Sequence, residues 1–221
     1  MMIETAITLD QFVQALHDTL VMVSISLVIG SLIGIPLGIL LVVTRPGGLI
    51  KNRTFYNILN PIINIIRSLP FIILMVAIIP LTRLIVNTTI GTPGAIVPLI
   101  IFIAPYIGRL VENSLLDVNP GILEAAKSMG ATPLQAIWYF LLPEALSSLI
   151  LALTTATIGL IGATAMAGTV GGGGIGDLAI TYGYQRFDTF VTVTTAIVLI
   201  ITVQLIQSLG NLFASKIRRE S

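Results

Sequence analysis

Five long apolar stretches alternate with short polar segments along the chain, over roughly 19–43, 56–81, 94–110, 145–167 and 190–213. None alternates apolar and polar residues with the period of two that a barrel strand requires. Each is an aliphatic run broken by Gly or Pro, close to the about 20 residues that a helix needs to cross the hydrocarbon of a bilayer. The pattern predicts an all-α polytopic membrane protein: a single transmembrane domain over 1–221 with five transmembrane helices.

The first stretch carries Gly30, Gly34, Pro36 and Gly38, and Thr8 or Asp10 is placed to cap a short helix leading into it. The second contains Pro61, Pro70 and Pro80 and is interrupted by Arg67. A charge at the bilayer centre costs about 2.5–3.5 kcal/mol, so Arg67 is expected off-centre or facing protein. It would there pair with Glu112, Glu144 or backbone carbonyls; a second reading has its bidentate guanidinium receive the carboxylate of an amino-acid substrate. Residues 82–93 (TRLIVNTTIGTP) are polar and turn-rich and predict a short external loop. The third stretch contains Pro98, Pro105 and Gly108, tolerated where neighbouring helices re-satisfy the backbone.

The fourth stretch is rich in small and hydroxyl residues from Thr154 to Met166. Close helix packing accounts for most of them. On a pathway-lining reading Thr157, Gly162 and Thr164 face a route through the membrane, and Met166, near the outer end, closes it as an apolar gate. Residues 168–188 (GTVGGGGIGDLAITYGYQRFD) predict an external glycine-rich loop. The run is not a phosphate loop, because no Gly-Lys-Ser/Thr follows it and no strand precedes it.

Composition agrees with the pattern. The chain is 55% hydrophobic and 10% charged with a mean hydropathy of +1.02, against about a quarter charged residues in soluble proteins. The absence of cysteine excludes disulfides and thiolate metal sites, and the single histidine, His17, excludes a histidine-based metal cluster within the chain. The net charge of +1 gives no reason to expect a nucleic-acid partner, and the scattered carboxylates show no pairing suited to acid/base catalysis. His17 is expected at the membrane interface.

What matters about the cations is their position. Residues 1–18 hold Glu4, Asp10 and Asp18 but no Lys or Arg, the opposite of a cleavable signal peptide, so this segment is expected to be retained. Arg45, Lys51, Arg53, Arg109, Lys127, Lys216, Arg218 and Arg219 then fall on one side of the five-span topology and only Arg83 and Arg186 on the other, with Arg67 set aside. By the positive-inside rule the N-terminus is outside and the C-terminus in the cytoplasm. An odd number of spans excludes a simple internal duplication, and five helices make a thin wall, so a route is expected between two copies of the chain.

Glu124 to Pro143, EAAKSMGATPLQAIWYFLLP, is a polar, helix-patterned island between the third and fourth stretches, on the cytoplasmic side. Leu123, Ala126, Lys127 and Gly130 lie at helical spacings, Gly130 permits a left-handed turn, and Thr132 and Pro133 read as the cap and first residue of a second helix. The spacing predicts two short helices joined at a glycine, a stiff elbow able to pass a push from a partner to both flanking spans. Glu124, Ala125, Ala126, Gly130, Leu142 and Pro143 resemble the EAA loop of the membrane subunits of bacterial ABC importers, with Phe140 where that pattern has isoleucine. VTRPG at 43–47, RSLPFIIL at 67–74, LVENSLLDV ending at 118, MGATPLQ at 129–135, LLPEAL at 141–146 and YGYQ at 182–185 extend the likeness over almost the whole chain, towards the permease subunits of methionine importers.

The resemblance implies a type I ABC importer fold and a non-catalytic permease in the cytoplasmic membrane of a prokaryote. The substrate is an amino acid, methionine first, another amino acid or small polar solute second. A homodimer would work with two cytoplasmic ATPase subunits, which hold ATP and Mg, and an extracytoplasmic substrate-binding protein; this chain binds no cofactor. The coupling segment is 120–142, with Glu124, Ala125, Ala126, Lys127, Gly130, Ala131, Thr132 and Pro133 meeting the ATPase. The external Gly171, Gly172, Gly173 and Gly174 with Tyr182 and Tyr184 are candidates for docking the binding protein. A proton-coupled secondary transporter is the alternative of another class, but it needs a titratable residue inside a span, and only Arg67 is a candidate.

Overall fold

The computed structural model describes residues 7–220, and of residues 219 and 220 the backbone only. Glu4 and the side chain of Arg219, both used in the charge reading above, lie outside the described residues. The helices are α1 (Leu9–Thr44), α2 (Arg53–Ser68), α3 (Phe71–Ala77), α4 (Ile79–Val86), α5 (Gly91–Leu116), α6 (Pro120–Ser128), α7 (Pro133–Gln135), α8 (Leu142–Gly168), α9 (Gly174–Leu178) and α10 (Thr189–Glu220). Two wider π-helical turns, Ala136–Leu141 and Ala179–Tyr184, precede α8 and follow α9.

α1 is one rod of 36 residues, so the separate entry helix expected before the first span does not exist. Thr8 starts it with a capping box: the Gln11 N–H donates to Thr8 Oγ1 (3.3 Å) and the Thr8 N–H to Gln11 Oε1 (3.0 Å). No Gly or Pro occurs between residues 9 and 29 to stop what that cap begins.

The second expected span, 56–81, folds as three consecutive helices, α2, α3 and the start of α4. Leu69 takes the extended conformation (φ −81°, ψ 128°) that the residue before a proline prefers, and α3 departs from α2 at 105°. Thr82–Val86, expected in a loop, belong to α4, which has Pro80 in its first turn and ends at the left-handed Asn87 (φ 58°). Among the described residues four helical stretches are long and apolar enough to cross a membrane, and a fifth only if α2 and α3 count together.

α5 is the axis of the core. Leu99, Ile103, Ile107, Val111 and Leu115, four residues apart, are all at most 2% exposed, enclosed by Met22 of α1 and Leu160 of α8. α1 lies directly on α5 through Gly30, Gly34 and Gly38: a Cβ on Gly34 would fall 2.5 Å from the Ala104 carbonyl oxygen, and one on Gly38 2.5 Å from that of Gly108. Removing side chains at this spacing lets two membrane helices meet backbone to backbone. α10 packs on α8, where Gly210 makes room for Thr154. Its other side exposes Ile197, Ile201, Leu205 and Leu212.

Candidate functional site

The elbow forms from local hydrogen bonds alone. Asn119 caps α6 by accepting the Gly121 N–H (2.9 Å), with Pro120 in the first turn. At the other end the Gly130 N–H reaches the Lys127 carbonyl and the Ala131 N–H the Ala126 carbonyl (3.0 Å each). This is the Schellman pairing, which requires the left-handed φ of +75° that Gly130 adopts. Directly afterwards Thr132 and Gln135 form a second capping box, N–H to Oγ1 at 3.4 Å and N–H to Oε1 at 2.9 Å. A helix stop and a helix start thus stand back to back over a few residues.

The second arm does not end as a short helix. α7, the π-helical turn and α8 form one stretch, Pro133–Gly168. The wide turn stands immediately before Pro143, which has no N–H to give an ordinary helical ladder. Ala126 is fully buried and Leu123 packs on the core, so one face of α6 is anchored. Glu124, Ala125, Lys127, Gly130, Thr132 and Pro133 are exposed, and Ala131 is half-buried. Beside them Met129 is 67% and Leu134 65% exposed. These two carry no sign in the hydropathy pattern, because a lone apolar residue reads the same whether it faces a core or a partner.

On α8, Thr155, Gly159, Gly162 and Met166 form one exposed stripe, with Met166 51% exposed. Thr157 is half-buried and donates to Leu153 O; Thr164 is 2% exposed and donates to Ile161 O, so its hydroxyl is turned into its own helix. Tyr106 of α5 borders the stripe, 3.9 Å from where a Gly159 Cβ would stand. The Arg67 guanidinium lies 6.0 Å from the centre of the Tyr106 ring, which stacks on Phe102 (6.4 Å), which meets the edge of Phe71 (5.3 Å). Arg67 therefore sits over an aromatic ladder, and neither Glu112 nor Glu144 pairs with it. Glu112, buried, is taken by Arg109, whose Nη2 also donates to Asn60 and Asn64 (2.7 Å each).

The site readings of the sequence left out this Arg109 network. Its signal was the spacing of Asn57, Asn60, Asn64 and Arg67, a polar stripe along α2 at i, i+3, i+7 and i+10.

At the other end of the molecule the glycine-rich segment is folded, not a loop. Gly172 and Gly174 are buried; the Ile175 N–H donates to Thr19 Oγ1 (2.9 Å), the Gly91 N–H to Gly171 O (2.7 Å), and a Cβ on Gly174 would strike Thr19 and Met22. Gly171 and Gly173 are half-buried at left-handed φ. Tyr182 is covered by Arg186 (4.4 Å to the ring centre), whereas Tyr184 is 73% exposed. His17 is exposed, with Nδ1 3.6 Å from Asp18. No cluster of three metal-ligating side chains exists among the described residues.

The molecule thus has an elbow, one long rod from it to a small-residue stripe, and a clasp at the far end. The family model for the binding-protein-dependent transport system inner membrane component matches residues 13–219. The chain belongs to this family. Similar members include a probable D-methionine transport system permease protein MetI of Vibrio cholerae, 48% identical over 96% of this chain and 94% of that one. The D-methionine transport system permease protein MetI of Salmonella typhi is 50% identical over 71% and 72%. Among solved structures, an inward-facing MetNI methionine ABC transporter contains a chain that superposes with a TM-score of 0.92 at 45% identity, covering 95% of this chain and 97% of that one. An amino acid ABC transporter with histidines superposes at 0.77 with 20% identity, a likeness of fold.

Proposed function

We propose that the chain is the membrane-spanning subunit of an ATP-driven importer for methionine. Two copies span the cytoplasmic membrane of a bacterium, joined by two ATPase subunits inside and a substrate-binding protein outside. ATP and Mg act on the ATPases, and this chain hydrolyses nothing. The observation that carries the reading is the elbow: a surface capped on both sides of Gly130, exposing Glu124, Ala125, Met129 and Leu134, and joined without a break to α8. When the ATPases close, the paired elbows are drawn together, and each carries its α8 with it as a lever. The stripe of Thr155, Gly159, Gly162 and Met166 then turns, so the route between the two copies opens first to one side and then to the other. Arg67, tethered beside that stripe by Tyr106, is placed to meet the substrate carboxylate. The half-buried Thr157 borders the route, while Thr164 supports the helix from within.

Outside, Tyr184 is the exposed member of the expected docking set. The four glycines hold the clasp on which it stands.

Glu124→Arg reverses the charge on the exposed face of α6 without touching the core. Transport of labelled methionine into vesicles holding the full complex is expected to fall about tenfold or more, in the range of ordinary coupling energies. ATP hydrolysis should no longer respond to the loaded binding protein, while the dimer stays intact in the membrane. Undiminished, substrate-stimulated turnover in this variant would refute the coupling role.

A further inference from the structure

Three charged side chains that no step above uses converge on one cavity. It has a volume of about 390 Å³ and lies where the end of α5, the start of α8 and the last turns of α10 meet; its wall includes Asp117, Glu144 and Arg218. All three side chains are exposed, and neither carboxylate lies within ion-pair distance of Arg218. Ser114 adds a second, independent observation. It is 7% exposed and lines the same cavity, yet its hydroxyl has no hydrogen-bond partner among the described residues. Most other helical hydroxyls, such as those of Ser128, Ser148 and Thr154, donate to a carbonyl of their own helix. Ser114 is buried as a residue, while its hydroxyl forgoes such a bond and opens onto the polar space, where a ligand can meet it.

The cavity does not end at the charges. Arg218 also lines a neighbouring groove of about 430 Å³ between Leu151 of α8 and Ala214 of α10. From Arg218 to Asn211 the rise along α10 is about 10 Å at 1.5 Å per residue, enough for a headgroup and the first carbons of an acyl chain.

We propose that this is a binding site for a phospholipid whose headgroup carries a primary ammonium, as phosphatidylethanolamine does. Asp117 and Glu144 receive the ammonium, Arg218 the phosphate, and the Ser114 hydroxyl bonds the same headgroup. The acyl chain lies in the groove between α8 and α10. A quaternary headgroup has no N–H to offer two carboxylates, so the site discriminates ethanolamine from choline. Because the lipid spans the base of α8, the lever described above, its occupancy holds α8 and α10 together while the elbow moves. That consequence rests on the proposed function; the binding itself does not.

The test uses the full importer complex, purified in detergent and read by native mass spectrometry after exposure to equimolar phosphatidylethanolamine and phosphatidylcholine. Retention of phosphatidylethanolamine is expected to exceed that of phosphatidylcholine about tenfold, the effect of about 1.4 kcal/mol. Glu144→Gln and Arg218→Gln, made singly, should each abolish the preference, and Arg186→Gln, at the far end of the molecule, should leave it intact. Equal retention of the two lipids, or a preference that survives both variants, overturns the proposal. So does efficient cross-linking of Asn211→Cys between the two copies, which would show that the partner subunit and not a lipid fills the groove. Soluble phosphoethanolamine should displace the lipid only weakly; complete displacement at equal concentration would mean that the site recognises a free zwitterion, and that too overturns a lipid site. Undiminished, substrate-stimulated turnover in the Glu124→Arg experiment, which would refute the coupling role, would leave every one of these readouts unaffected.

Discussion

Gly34 lacks a side chain because the Ala104 carbonyl oxygen and the Ile107 side chain stand where one would be. In an ordinary helix Gly→Ala is favourable by about 1 kcal/mol. Here the overpacking cost of about 1–3 kcal/mol works against that gain, and backbone oxygen cannot move aside as a side-chain end can. Gly34→Ala is therefore expected to lower the melting temperature of the detergent-solubilised protein, whereas Gly162→Ala, where a Cβ meets nothing within 4 Å, should leave it unchanged or raise it. An equal response at the two positions would contradict the packing account. The spacing of Gly30, Gly34 and Gly38 stands in the sequence as a glycine at every fourth residue, a pattern that marks one close-packed helix face. Which helix occupies that face is not written there; α5 became the partner only when the chain folded.

Among the elements, the elbow is the part most legible in advance, because everything that makes it is local. Asn119, Gly130, Thr132 and Gln135 act within a few residues of themselves, through bonds set by backbone geometry. Gly130 has open space where a Cβ would stand, so Gly130→Ala tests conformation alone. An L-residue held at left-handed φ costs about 1–2 kcal/mol. The variant is expected to weaken binding of the ATPase subunit several-fold in a pull-down titration, with little change in how much protein folds into the membrane. Unaltered affinity would show that the sharp turn is not needed for docking.

The elements after α1 were less legible. Residues 71–81 are as apolar as any spanning run, and hydropathy has no sense of direction. The extended Leu69 before Pro70 sends them off at 105° from α2, a local signal whose consequence is global. The glycine-rich segment misled in the opposite way. Its composition reads as mobile chain, but its glycines are there for contact with Thr19, Ala165 and Ala167.

At the scale of the whole molecule, a single copy leaves Met166 and the neighbouring stripe of α8 uncovered, with the apolar side of α10 beside it. The chain has no cysteine, so one introduced thiol reports without interference. Met166→Cys is expected to form an intermolecular disulfide on oxidation when the complex rests without ATP, and much less when the ATPases are held closed. No cross-link in either state would remove Met166 from the route between copies.

The sequence by itself determined that the chain is helical and membrane-bound, where its elbow turns, and which end of each stretch carries positive charge. These follow from hydrophobic run length, capping residues and charge position, all properties of neighbouring residues or of the chain's interaction with the bilayer. Only the tertiary structure decided that Arg67 rests on Tyr106 while Arg109 takes Glu112, that Thr164 is buried beside an exposed Met166, and that Asp117, Glu144 and Arg218 share one cavity. Each of those depends on which helix faces which. That choice is made by close packing between segments far apart in sequence, a term that no local pattern contains.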